Sequence, residues 1–206
     1  MAHFGGRTNS HDRKSLAVWS LILQLFSETL GGWGILPTLY LQKENQLMEI
    51  TTYPTHLEAK NSLDLCLELF ADSVTMNEAD IKTAFLGVAN SVQIRDYALG
   101  AVGFALNDYQ DINRFFTLLG AIGGESAHLE AVWSAFAYEF GNQEEAYAHL
   151  NKAKELDPAN SLAGLLFRVF GAGFPPASLG SMRNELHPRV VEGLADLEGV
   201  AVRENI

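Results

Sequence analysis

What most constrains this chain is its punctuation. From Thr55 onward, apolar residues recur at three- and four-residue steps, and each such stretch is bracketed by a capping side chain and by Gly or Pro. A helix leaves its first backbone N–H groups without partners, and a Ser, Thr, Asn or Asp just before it can accept from one of them. Glycine ends helices because it takes a left-handed terminus without strain. A chain written this way folds into many short helices, each hiding one stripe. Thr55 and Glu58 form a capping box ahead of Leu63, Cys66, Leu67 and Phe70. Thr75-Met76-Asn77-Glu78 repeats the signal ahead of Ile81, Phe85, Val88 and Ala89. Residues 94–105 carry Tyr97, Ala98, Ala101 and Val102 on one face. There Gly100 and Gly103 weaken the helix by about 1 kcal/mol each and leave room for a neighbouring helix. Asn107 is the predicted cap of the next helix, with Ile112, Phe115, Phe116 and Leu119 inward and Gly123-Gly124 at its end.

The pattern is clearest over residues 126–170. Ser126 caps a helix predicted to bury Leu129, Val132, Trp133, Phe136 and Phe140, and Gly141 closes it. Asn142 is the predicted cap of the following helix, whose inner stripe is Ala146, Leu150 and Ala153 and whose stop is Pro158. A third helix carries Leu162, Leu165, Leu166, Val169 and Phe170. Gly171-Ala172-Gly173 and Pro175-Pro176 break the chain, and Pro188 is predicted to start the last helix, with His187 just ahead of it.

The fold class that follows is mainly all-α: a helical bundle or short α-solenoid. Residues 1–15 read as a flexible leader. Residues 16–54 read as an N-terminal helix on Leu16, Trp19, Leu23, Phe26 and Leu30, plus a small β-hairpin at 38–53, where Ile50, Thr51, Thr52 and Tyr53 favour strand. Residues 55–200 form the helical domain. The stretch after Arg13 and Lys14 resembles a signal peptide, but Ser20 and Gln24 interrupt it and no small-residue cleavage site follows. No apolar run is long enough to span a bilayer. With 25 acidic against 14 basic residues, the net charge is -11. That sign disfavours nucleic acid and anionic membrane surfaces as partners. Cys66 is the only cysteine, so neither an internal disulfide nor a thiolate metal cage can form.

Two stretches carry resemblances. Gly141-Asn142-Gln143-Glu144-Glu145-Ala146, with Leu150, Ala153, Leu156, Asp157 and Pro158, resembles the second helix of a tetratricopeptide repeat, which makes residues 126–158 a TPR-like hairpin. The first helix departs from that pattern, with Glu130 where Trp is usual and Ala137 where an aromatic is usual. Val92-Gln93-Ile94-Arg95-Asp96, Trp133, Gly141-Asn142, Asp157-Pro158 and Gly173-Phe174-Pro175-Pro176 together resemble the C-terminal half of an actinobacterial family, domain-of-unknown-function family four-one-nine-two. The resemblance spans residues 78–176 and implies an intracellular, cytoplasmic protein. It carries over no catalytic residue.

Possible chemistry is thin. Gly124-Glu125-Ser126-Ala127-His128 has the look of a nucleophile elbow, yet the second glycine is missing and no strand precedes Ser126. Glu125-x-x-His128 is half of a di-iron motif that has no second copy. Glu145 and His149 stand four apart and can pair on one helix face. Arg95 and Asp96, being adjacent, are not expected to face each other on a helix; one of them is a candidate tether to another helix. No cofactor and no metal are expected. The leading expectation is a non-enzymatic protein–protein interaction module, with a groove beside the hairpin using Glu130, Tyr138, Asn142 and Glu145 to hold a protein or peptide. The first alternative is an enzyme or small-molecule pocket built by Arg95, Glu125 and His128. The second is a scaffold for an N-terminal region or a partner subunit.

Overall fold

Thr55 begins the first helix in the way its sequence requires. In the computed structural model, which describes residues 53–204, its Oγ1 accepts from Glu58 N at 3.2 Å while the Glu58 carboxylate accepts from Thr55 N at 2.8 Å. That box opens α1 (His56–Ala71). Asn77 opens α2 (Glu78–Asn90), and Ser91 alone separates it from α3 (Val92–Ala105), which it caps. Then come α4 (Tyr109–Gly123), α5 (Ala127–Glu139), α6 (Gln143–Leu156), α7 (Ser161–Gly171) and α8 (Pro176–Glu204). The protein is therefore an all-α bundle, with no strand among the described residues. The leader, the helix expected from Leu16 and the hairpin expected at 38–53 lie outside those residues, but for Tyr53.

Three local expectations are corrected. The cap of α4 is Asp108, whose carboxylate accepts from Gln110 N at 2.6 Å, and not Asn107. Asn142 holds the cap position of α6, but its side chain makes no capping bond. Pro188 lies inside α8 rather than at a helix start. A proline in a helix leaves the carbonyl four residues earlier without a donor. Here that residue, Asn184, is exposed, as is Pro188, so the helix continues through.

Packing follows the stripes. Leu63, Cys66, Leu67, Ile81, Phe85, Val88, Ile112, Phe115, Phe116 and Leu119 are buried, as are Phe136, Leu150 and Ala153. Phe116 sets its ring 5.8 Å from Phe136, and Phe115 meets Phe70 edge-on at 5.4 Å. Such ring pairs add about 0.5–1.5 kcal/mol each beyond their buried area. Phe140, expected inside, is exposed: it is the C-cap of α5, where the chain turns outward into Gly141 at φ 83°. Helices α5 and α6 form the hairpin expected at 126–158, tied by the Ser134 hydroxyl donating to Ala146 O at 2.7 Å. Helix α8 lies on α3. A Cβ at Gly100 would fall inside the His187 ring, and one at Gly103 inside the Arg183 guanidinium. Arg183 also donates to Glu139 at 2.9 Å, tying α8 to α5.

Candidate functional site

The three residues expected to build an internal pocket do not bond to one another. Arg95 and Asp96 are 3% and 5% exposed. Contrary to expectation they do pair: Nε and Nη2 of Arg95 reach Asp96 Oδ1 at 2.8 and 2.6 Å. The long arginine side chain wraps along the helix, and burial leaves it no water to prefer. Its remaining Nη1 donates to Ser161 Oγ at 3.3 Å, so Arg95 also tethers α3 to the start of α7. Burial pushes the Asp96 carboxyl above its ordinary range, although Arg95 pulls the other way. His128 lies within the field of Arg95. Burial, then that positive charge, lower its pKa to about 4, and its Nδ1 is buried without a partner. Glu125 turns elsewhere, to Lys152 at 3.1 Å on the surface. Arg95 and His128 are thus brought near each other, whereas Glu125 serves the α5–α6 hairpin.

The expected hairpin groove is largely internal structure. Tyr138 is buried, stacks on Phe170 at 3.8 Å and donates its hydroxyl to Phe174 O at 2.7 Å. Glu130 is buried too, held 2.6 Å from His149 Nδ1 and 3.0 Å from Lys152. Burial alone would raise its carboxyl; the bonds from His149 and Lys152 outweigh that and hold it low. His149 stacks on Trp133 at 4.1 Å, and its Nε2 lies 3.8 Å from Glu145. Glu130 therefore bonds one nitrogen of the imidazole, and Glu145 lies on the side of the other. Of the four expected contacts, Asn142 is exposed and Glu145 half-buried, while Glu130 and Tyr138 face inward.

A concave surface lies elsewhere. Helices α1, α3 and α8 enclose a shallow groove of about 460 Å³. Its apolar lining is Leu67, Ala71, Ala101 and Ala105, and the charged described residues that line it are Asp64 and Glu68. A ladder of rings runs along it: Tyr97 to His187 at 5.3 Å, then His187 to Phe104 at 5.2 Å. Phe104 is 55% exposed. Tyr97 donates to Asp64 at 2.6 Å, and burial with that carboxylate raises its hydroxyl far above the usual range, so it stays a donor. His187 is turned down by burial and by Arg183, and its Nδ1 is packed without a partner against Gly100.

No protein family model, curated protein or solved structure matches this chain. Among the described residues no three His, Cys, Asp or Glu side chains are arranged to hold a metal ion, and no helix is long and apolar enough to cross a membrane. A second cavity of about 470 Å³, between the start of α1 and the α2–α3 corner, is lined by His56, Ala59, Gly87 and Ile94, with no carboxylate among its described lining residues. The sequence did not single out Asp64, Glu68 or Phe104. The one usable signal was Gly100 with Gly103, which marks where another helix crosses α3 beside Phe104.

Proposed function

We propose that this chain is a non-enzymatic helical interaction module that holds a segment of another protein. The observation that carries the reading is the α1–α3–α8 groove, where Phe104 stands 55% exposed among the apolar lining residues Leu67 and Ala101. Ordinary surface residues do not need such a setting, and an aromatic over a concave apolar floor is the usual anchor of a protein contact. The groups that might have served catalysis point the same way. Arg95 is bound to Asp96 and Ser161, Glu125 to Lys152, and Glu130 to His149 and Lys152. The reading takes the protein to be cytoplasmic and related to the actinobacterial family that residues 78–176 resemble. In it, the TPR-like hairpin of α5 and α6 serves as support for the groove rather than as its wall.

A photo-crosslinking amino acid at position 104 tests this in cells that naturally make the protein. The expected result is a defined crosslinked protein from position 104 and none from the exposed position 117 on α4. No crosslinked protein from 104, or the same products from both positions, would overturn the reading.

A further inference from the structure

We propose that the groove of α1, α3 and α8 receives a cationic side chain, arginine or lysine, carried on a segment of the partner protein. The inference rests on the interaction-module reading and names what the module recognises. Its motive is a filled cation site at one end of the groove and, further along, a carboxylate and an exposed ring that hold no described cation. At one end, Lys60 is paired with Asp64 at 2.8 Å, and its ammonium lies 5.1 Å from the centre of the Tyr97 ring. A cation there is held between a carboxylate and an aromatic face. One turn further along α1 stands Glu68, and two turns further along α3 stands Phe104. Both line the same groove, Glu68 makes no ion pair with a described residue, and no cation of the described chain covers Phe104. Among the described residues the carboxylate and the ring are present, and the cation is not.

The rest of the lining suits that ligand. Among the described residues, Lys60 at the Asp64–Tyr97 end is the cation held against the lining, and no lysine or arginine is itself a lining residue. His187, held neutral by its burial, adds a third ring without adding a repelling charge. Leu67, Ala71, Ala101 and Ala105 offer an apolar bed for the methylene stem that carries such a charge. A cation over an aromatic face gains most where both are partly desolvated, and a net charge of -11 speeds the approach of a basic segment.

The test is a nuclear magnetic resonance titration of the full chain with a synthetic amphipathic peptide bearing Leu and Arg at helical spacing. Its counterpart with Glu for Arg, N-acetyl-arginine amide and spermidine serve as comparisons. The Arg peptide should shift the amides of Glu68, Ala71, Phe104 and Ala105, and added salt should weaken it. Glu68→Gln and Phe104→Leu, both at exposed positions, should each weaken it by roughly 3- to 30-fold. The proposal falls if the Arg peptide shifts nothing or shifts another face. It falls equally if the Glu peptide binds as well or if both variants bind unchanged. Spermidine binding as tightly as the peptide would overturn the assignment to a protein side chain. Crosslinking from position 104 that persists while the Arg peptide fails would leave the module reading standing and sink the cation alone. Loss of both would sink the two together.

Discussion

Replacing Asp96 by Leu should destabilise the bundle severely, and replacing Arg95 by Met in the same chain should restore it. In the single variant the Arg95 guanidinium stays buried, left with Ser161 as its one remaining partner. An uncompensated buried charge of this kind costs about 3–5 kcal/mol. For a domain of this size each kcal/mol moves the melting temperature by roughly 2–4 °C, so the loss should be about 6–20 °C. In the double variant the volume is refilled with apolar atoms and no ion is left. Burial opposes the Asp96 charge, while Arg95 supports it. The double variant should therefore fall within about 1 kcal/mol of the parent, or exceed it. Urea unfolding followed by circular dichroism measures both. A cost below about 1 kcal/mol for Asp96→Leu, or a double variant as unstable as the single, would refute the description of the pair as buried and mutually dependent.

Further outcomes follow from the same structure. Gly100→Ala should destabilise by about 1–2 kcal/mol net, because overpacking against the His187 ring exceeds the gain in helix propensity, and His187→Ala in that background should recover most of it. Stability should fall on acidification from pH 6.5 toward about 4: the unfolded chain takes a proton on His128 in that window while the folded one resists it. His128→Leu should flatten that slope in urea midpoints measured across pH. Ser126→Ala removes the acceptor of Leu129 N and should cost about 0.5–2 kcal/mol by thermal unfolding. Cys66 is fully buried with its thiol pushed up to about 11, so a thiol reagent should modify it only as fast as the protein unfolds; rapid labelling of the folded chain would contradict that burial.

The parts of this fold that the sequence announces are those decided within one turn. Thr55 with Glu58 and Ser126 with Leu129 N are contacts three residues apart, and most of the inner stripes of α1 to α7 follow from spacing, Phe140 excepted. What the sequence hides depends on which helix crosses which. Tyr138 reads as a surface aromatic until Phe170 and the Phe174 carbonyl are laid against it. Glu130 reads as an acidic rim until α6 brings His149 and Lys152 across it. Arg95 and Asp96 look incompatible by helical angle, because angle ignores the reach of an arginine. Pro188 looks like a boundary because its tolerance depends on Asn184 facing out. The groove needs Glu68, Phe104 and His187, which three separate helices deliver, so no local pattern could have joined them.

The seat of α8 on Gly100 and Gly103 also bears on how the protein is made. The ribosome delivers helices in order, at roughly 5–20 residues per second. The glycine face of α3 therefore leaves the exit tunnel long before His187 and Arg183 exist to cover it. During those seconds the face of α3 that carries Gly100 and Gly103 stands uncovered by α8. Synthesis of α8 closes that interval and raises one side of the groove at the same moment.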